Sequence, residues 1–252
     1  MKTHFFRTIA LFILVSFCCS INAQQEDTLY IRRGENGKIA FARFAINKNS
    51  DRKMENDTIF LKSILQAKNE DQFRLKSTST DKLGFTHRKF QQFHKGIKVE
   101  SAEYLLHGRD GHIEVMNGDF FDVVIQNINP TINEQQALVK ALEYVGAEKY
   151  YWEDPYTEDF LKQLQNNPLA TYYPQGELVI VRSFSQESDS FLLSWKFSVS
   201  SLQPYNEQMI FVDAMNGEIL RVVPLIINVN VPGNAETLYS GFSKYNLRFL
   251  SR

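Results

Sequence analysis

The chain contains only two cysteines, Cys18 and Cys19, and no long apolar run beyond its first 23 residues. Lys2 and Arg7 precede the one apolar run, and small residues follow it, which is the layout of a secretory signal peptide. The run is shorter than the roughly 20 apolar residues of a membrane helix. A lipid anchor on either cysteine is the alternative, but the residues before both are bulky. We expect a signal peptide at residues 1–23 and a secreted or periplasmic product without disulfides or a membrane span.

The chain also lacks an excess of charge of either sign. Removing Lys2 and Arg7 with the signal peptide leaves 26 basic and 29 acidic side chains, a formal charge of −3. This near balance gives no electrostatic reason to expect nucleic acid or an anionic membrane as a partner. The remaining length suits one large or two small domains of about 100–200 residues each.

Several motifs that carry enzyme chemistry are absent. The sequence has no His-Glu-x-x-His zinc motif, no Gly-x-Ser-x-Gly elbow and no phosphate-binding glycine loop. Four histidines lie beyond the predicted signal peptide: His87, His94, His107 and His112. Their spacing is uneven and their segment is predicted to form strands and turns, so we expect polar strand positions and no zinc site.

Two acidic pairs, Glu153/Asp154 and Glu158/Asp159, leave two interpretations open. Clustered carboxylates can bind calcium or perform acid–base catalysis. No glycine-marked loop surrounds them, and Glu158 and Asp159 suit the first turn of a helix. We therefore expect a solvated surface that caps a helix.

Residues 85–108 are predicted to form the centre of the fold. Polar and apolar side chains alternate along two extended segments, which reverse direction at His94-Lys95-Gly96. A second glycine-rich reversal lies at residues 108–111, and a third strand covers residues 112–116. The pattern predicts a β-meander, and alternation alone is also what an arbitrary amphipathic β-meander would show.

The meander also carries a pattern of particular residue types at fixed positions. These residues are His87, Arg88, Gln91, Gln92, Gly96, Val99, His107 and Gly118. The pattern resembles the fungalysin/thermolysin propeptide module, which precedes the catalytic half of secreted thermolysin-type zinc metallopeptidases.

Before the meander, a short strand is predicted at residues 28–31, followed by a turn and then a second strand or a loop at residues 39–44. Asp57 can cap an amphipathic helix over residues 57–67. A polar link at residues 68–82 then leads into the meander.

Asn129-Pro130 is a plausible domain boundary, and a second unit follows it. Asn133 and Gln136 mark the start of a helix that ends at Gly146. A shorter helix is predicted at residues 157–165. Four strands are predicted at residues 177–184, 191–199, 208–213 and 218–224, with a tight turn before the last one.

That tight turn contains Asp213, Ala214 and Asn216-Gly217, and the order of elements around it resembles a PepSY module. Asp213 can accept hydrogen bonds from turn amides, and Asn216-Gly217 can take positive φ. We therefore expect these residues to determine the fold and to have no catalytic role. We expect the same of His87, Arg88, Gln91, Gln92, Gly96, Val99 and Gly118.

The two resemblances together imply an α+β fold with two consecutive curved antiparallel sheets, each packed by one or two helices, as in cystatin-like propeptide modules. The propeptide-like domain would cover residues 24–128 and the PepSY-like domain residues 129–224. Residues 233–252 would begin a truncated catalytic domain and would be mobile. A processing linker is expected in between: Leu225, Ile226, Ile227, Asn228, Val229, Asn230, Val231 and Pro232.

The resemblance implies a propeptide that assists folding of a thermolysin-like catalytic domain, in cis or in trans, and inhibits it. Zinc and calcium are then expected only in the catalytic domain, and this chain would hold no cofactor. One alternative is the amino-terminal fragment of an interrupted metalloendopeptidase gene. Another is a stand-alone secreted module that binds a peptide or a protease at a sheet edge.

Overall fold

The computed structural model describes residues 28–46, 51–185, 188–225, 230–237 and 241–248, and these form a mixed α+β fold. The chain divides into two compact units. The amino-terminal unit comprises the described residues up to Gly96 together with Ser101–Asp122. The carboxy-terminal unit comprises Ile97–Glu100 and the described residues from Val123 onward. The predicted signal peptide lies outside the described residues, among which no helix has the length and apolarity of a membrane span.

The amino-terminal unit is a six-stranded sheet with one α-helix. Its elements are β1 (Thr28–Arg33), β2 (Ile39–Phe44), a 3-10 helix (Met54–Asn56), α1 (Asp57–Ile64), β3 (Asp71–Thr80), β4 (Thr86–His94), β5 (Ile97–Arg109) and β6 (His112–Gly118). The strand order is β1-β2-β6-β5-β4-β3. The pairs β1/β2, β2/β6, β5/β6 and β3/β4 are antiparallel.

Two tight turns create the central meander, which is confirmed. Lys95 and Gly96, between β4 and β5, have φ values of 49° and 83°. Asp110 and Gly111, between β5 and β6, have φ values of 51° and 77°. Two consecutive residues with positive φ give a turn whose twist matches that of the flanking strands.

The core of the amino-terminal unit lies between α1 and the sheet. Leu61 and Leu65, at the end of α1 and just after it, are fully buried against strand side chains. Large apolar residues from every strand but β1 complete this core, among them Phe44, Phe73, Phe90, Leu106 and Ile113. Burying each of these side chains contributes about 1.5–3 kcal/mol.

Two details before the meander differ from the sequence-based prediction. The helix predicted for residues 57–67 ends at Ile64, and its N-cap position is Asn56 and not Asp57, whose carboxylate pairs with Arg88. The predicted polar link at residues 68–82 is instead strand β3 over most of its length. The link prediction was wrong because β3 is an outer strand whose later residues are solvent-exposed, so no apolar alternation marks it.

The carboxy-terminal unit combines β-strands with two α-helices. Its elements are α2 (Glu134–Val145), β7 (Lys149–Tyr150), a 3-10 helix (Tyr151–Glu153), α3 (Pro155–Leu164), β8 (Glu177–Ser185), β9 (Ser188–Gln203), β10 (Tyr205–Asp213), β11 (Ile219–Pro224), β12 (Asn230–Thr237) and β13 (Gly241–Arg248). Strands β8, β9, β10 and β11 pair in that order, all antiparallel, and β7 pairs with β9.

Helix α2 has the ends that its sequence predicts. The Asn133 side chain accepts from the Gln136 amide, and the Gln136 side chain accepts from the Asn133 amide, both at 2.9 Å. This reciprocal capping box satisfies two amides at the helix start. Gly146 ends the helix with a left-handed φ of 58°.

The sheet of the carboxy-terminal unit has apolar residues on both faces. Ala137 and Leu138 of α2 pack against Phe197 and Ile210 on one face. Phe211, which neighbours Ile210 on β10, belongs to a separate apolar cluster with Val179 and Val181. Adjacent strand residues point to opposite faces, so this alternation is expected of a sheet that is covered on both sides.

One strand pair departs from the expected all-antiparallel arrangement. Lys98 and Val99, the part of β5 that belongs to the carboxy-terminal unit, pair in parallel with Val179 and Ile180 of β8. The boundary between the two compact units lies between Asp122 and Val123, whereas the sequence predicts a boundary at Asn129-Pro130.

The last described residues form a separate two-stranded sheet in which β12 pairs with β13, from Asn230/Arg248 to Thr237/Gly241. The sequence predicts mobile residues beyond Pro232, and the described residues of this segment lie in β12 and β13. Of the expected processing linker, residues 226–229 lie outside the described residues and residues 230–232 belong to β12.

Candidate functional site

The residues singled out by the sequence fall into two groups, one in each unit. The larger group lies on β4 and its neighbouring strands, and the smaller one lies in the turn between β10 and β11. Their contacts show whether these side chains are free to act on a substrate or already form hydrogen bonds within the fold.

Arg88 joins β4 to the start of α1. Its guanidinium donates to the Met54 carbonyl oxygen at 2.7 Å and forms a short ion pair with the Asp57 carboxylate. Asp57 stands in the first turn of α1, where a carboxylate also interacts favourably with the helix dipole. Arg88 therefore fixes the helix on the sheet through one charged and one neutral acceptor.

Gln91 and Gln92 are both buried and bond to backbone groups. Gln91 Nε2 donates to the Ala102 carbonyl oxygen at 3.0 Å. Gln92 holds both backbone groups of Phe121: its Oε1 accepts from the Phe121 amide at 3.0 Å, and its Nε2 donates to the Phe121 carbonyl at 2.8 Å. A glutamine side chain thus takes the place of a strand partner for the segment after β6.

A buried carboxylate joins this network. Asp71 is fully buried and accepts from three donors: His94 Nδ1 at 2.9 Å, Gln92 Nε2 at 3.3 Å and the Lys68 amide at 3.0 Å. Buried polar groups in folded proteins almost always have hydrogen-bond partners, and Asp71 follows this rule. No local sequence pattern marks Asp71, because its partners are 3 to 23 residues away in the chain.

His87 and His107 face each other across β4 and β5. Their Nδ1 atoms are 2.6 Å apart, so one ring must donate and the other accept. His107 Nε2 lies 2.8 Å from Asn117 Oδ1, and His87 Nε2 lies 3.2 Å from the Asp81 carboxylate. The backbone amide of Phe85 lowers the pKa of Asp81, and the bond to His87 lowers it further.

Two glycines of the motif occupy positions that other residues fit poorly. Gly118 has a φ of 147°, and a Cβ atom there would lie 2.2 Å from the Glu103 carbonyl oxygen. Gly96 supplies the positive φ of the β4–β5 turn. Val99 is buried and pairs with Ile180 of β8.

Tyr104 is a second residue that the sequence did not single out. Its ring is buried in the core, and its hydroxyl makes a short hydrogen bond to the Ile39 carbonyl oxygen. Burial raises the pKa of the Tyr104 hydroxyl, and the nearby Asp119 raises it further. The phenol therefore stays protonated as a donor that links β5 to β2.

The turn between β10 and β11 has the predicted local geometry. Asp213 Oδ1 accepts from the Met215 amide at 2.7 Å and the Asn216 amide at 3.3 Å. Gly217 has a φ of 81°. The Ala214 carbonyl oxygen accepts from the amides of Thr131 and Ile132, so the turn also holds the chain ahead of α2.

The acidic pairs are used as helix caps and loop acceptors. Asp154 is the N-cap of α3 and accepts from the Thr157 amide at 3.2 Å. Glu153 accepts from the Tyr150 amide, and Glu158 from the Tyr172 amide. Glu153 and Asp154 thus cap helix starts as predicted, whereas Glu158 lies in the first turn of α3 and accepts from a loop amide. In the described parts of the chain no three His, Cys, Asp or Glu side chains are arranged to hold a metal.

Most of the side chains singled out by the sequence therefore form hydrogen bonds within their own unit. Their contacts stabilise the fold. At the sequence level, residues 71–120 match the family model described as the Fungalysin/Thermolysin Propeptide Motif. The chain thus contains a propeptide motif of the kind that the meander predicts, and the match spans β3 to β6.

The chain was also compared with curated proteins and with solved structures. No curated protein matches the chain. Among solved structures, the Bacillus megaterium YpeB C-terminal domain is similar over 75% of this chain and 72% of its own, with 12% sequence identity and a TM-score of 0.31.

Proposed function

We propose that this chain is the propeptide region of a secreted thermolysin-like metallopeptidase and acts as folding assistant and inhibitor of the catalytic domain. The observation that carries the proposal is the propeptide motif at residues 71–120. The catalytic domain is the partner, in cis or in trans. A partner that binds the native enzyme and not its unfolded chain stabilises the native enzyme by mass action.

The contacts of the motif residues support a scaffold role within this proposal. Arg88 and Gln92 bond to backbone atoms and carboxylates of their own unit, which leaves them no part in chemistry on a substrate. The carboxy-terminal unit would serve as the PepSY-like half. Zinc and calcium would be bound by the catalytic domain and not by this chain.

The expected processing junction completes the proposal. Leu225, its first residue, still bonds to the sheet through its amide, which donates to the Glu207 carbonyl oxygen at 2.8 Å. The residues after it, up to Pro232, would be the segment that a protease lays out as a strand and cuts.

The test adds the purified chain to thermolysin and measures residual peptidase activity and cleavage sites by mass spectrometry. We expect inhibition at micromolar concentration together with trimming between residues 225 and 233. A chain that stays uncut there and leaves thermolysin fully active would contradict the proposal.

An exposed sheet edge supports the stand-alone binding module as a second candidate. Among the described strands, β3 pairs only with β4, so its other edge can accept an added strand. Capture of extended peptides by the chain, without any inhibition of thermolysin, would favour this second function.

A further inference from the structure

Strand β1 forms one edge of the sheet in the amino-terminal unit. Among the described strands it pairs only with β2, so its other side has no strand partner. The register with β2 shifts near both ends of β1 but is regular from Tyr30 to Arg32. A sheet edge is a template for an added strand unless charged side chains or proline protect it, and the middle of β1 contains neither.

The middle of β1 is apolar and exposed to solvent. Leu29, Tyr30 and Ile31 are consecutive and are 61%, 54% and 42% exposed. Ile31 lies opposite Ala42 of β2 and Tyr30 lies opposite Arg43, so their side chains point to opposite faces of the sheet. A strand added at this edge would cover apolar surface on both faces.

The charges at the two ends of β1 indicate which strand fits this edge. Glu26 and Asp27 directly precede β1 in the sequence, and Arg32 and Arg33 end it. The segment therefore runs from acidic through apolar to basic. A second copy in antiparallel orientation places its acidic end beside the basic end of the first, and the two apolar stretches meet in the middle. A parallel copy would bring like charges together.

The opposite edge of the same sheet lacks this self-complementary pattern. The second half of β3 consists of Lys76 followed by serines and threonines, and its side chains are exposed. Pairing of β3 with a second β3 would therefore bring together neither an apolar stretch nor opposite charges.

We propose that two copies of this chain form a dimer by antiparallel pairing of their β1 strands about a twofold axis. In such a dimer each contact occurs twice, so the attraction between the acidic and basic ends also counts twice. A pair of six-residue strands is smaller than the standard interface of about 1,600 Å². We therefore expect a weak dimer with a micromolar dissociation constant.

Sedimentation of the chain from Gln24 onward, over a range of micromolar concentrations, tests the dimer. Arg32→Glu gives β1 acidic residues at both ends and turns two attractions into repulsions, so we expect an at least about tenfold larger dissociation constant. Asp27→Arg makes both ends basic and should have the same effect. Lys82→Glu is the matched control, because it makes the same change of charge in the exposed turn between β3 and β4.

A mixture of the two single variants tests the antiparallel geometry. Each variant alone repels itself, but one copy of each restores both attractions, so we expect a mixed dimer within about threefold of the wild-type affinity. Amide hydrogen exchange in residues 29–32 should also slow as the wild-type concentration rises, because the added strand would bond to the free edge.

The contrary outcomes are equally specific. A wild-type chain that stays monomeric at several hundred micromolar, or a dimer that Arg32→Glu and Asp27→Arg do not weaken, overturns the inference. A dimer that both variants weaken but their mixture does not restore excludes antiparallel β1 pairing and overturns it as well. The proposed inhibition of thermolysin is measured separately and does not depend on these results.

Discussion

The two units use different interior chemistry to hold a similar kind of structure, a mostly antiparallel sheet with a packed helix. The amino-terminal unit buries a connected polar network in which Gln92 and His94 both bond to Asp71. The interior of the carboxy-terminal unit between α2 and the sheet is apolar, and its buried carboxylate, Asp213, serves a turn. The four described histidines all lie in the amino-terminal unit.

This difference explains why one region carries a recognisable residue pattern. An apolar core tolerates exchange among residues of similar volume. A buried polar network accepts few changes, because each loss leaves a partner without a hydrogen bond. The part of the chain that matches the propeptide motif is the part with the buried network.

The largest expected effect comes from removing the buried carboxylate at the centre of that network. Asp71→Ala leaves His94, Gln92 and the Lys68 amide without their acceptor, and we expect a loss of about 3–5 kcal/mol in the free energy of unfolding. Asp213→Ala, its counterpart in the carboxy-terminal unit, removes bonds to two turn amides and should cost about 1 kcal/mol.

Urea unfolding followed by hydrogen exchange, resolved by peptide, measures each unit separately. Tryptophan fluorescence adds a second signal, since both tryptophans, Trp152 and Trp195, lie in the carboxy-terminal unit. If Asp71→Ala and Asp213→Ala lowered the free energy of unfolding equally, the two units would not differ in how much they depend on a buried carboxylate.

A smaller effect is expected from the histidine pair of the amino-terminal unit. The facing Nδ1 atoms of His87 and His107 share one hydrogen bond, and His107 Nε2 also bonds to Asn117 Oδ1. His87 Nε2 bonds to the Asp81 carboxylate.

His107→Ala removes both hydrogen bonds of the His107 ring and leaves His87 Nδ1 and the Asn117 side chain without that partner. We therefore expect the amino-terminal unit to lose about 1–3 kcal/mol in its free energy of unfolding. The carboxy-terminal unit, which has no histidine among its described residues, should keep its stability. Hydrogen exchange resolved by peptide measures both units, and an amino-terminal unit as stable as that of the wild type would exclude the pair as a source of stability.

Local signals in the sequence were enough to predict much of this fold. The capping box at Asn133 and the turns at Gly96 and Gly111 depend on neighbouring residues, and the structure has them as predicted. Strand β3 was missed because its exposed edge position leaves no alternation to detect. A cavity of about 360 Å³ in the carboxy-terminal unit could not be predicted, because it forms only where residues 165–175 meet Ser198 and Ser200 of β9.

The smallest effect on stability is expected at two glutamates, one in each unit, that each form ion pairs with two lysines. Glu103 in the amino-terminal unit pairs with Lys76 at 2.6 Å and Lys89 at 2.5 Å. Glu177 in the carboxy-terminal unit pairs with Lys98 at 3.1 Å and Lys196 at 3.3 Å. Burial alone would raise the pKa of each carboxyl, but the lysines outweigh it and lower both values below the ordinary 4.5.

A carboxyl whose pKa is lowered by folding stabilises the protein above its unfolded pKa, and this contribution is lost as the pH falls through the folded pKa. Glu103→Gln should therefore cost under about 1 kcal/mol at pH 7 and less at pH 3, because the contribution of the ion pairs declines as the pH falls toward the folded pKa. Glu177→Gln should cost less, because the Glu177 side chain is 47% exposed and that of Glu103 only 28%. Urea midpoints at both pH values test this, and a larger loss for Glu177→Gln would show that the ion pairs do not follow burial.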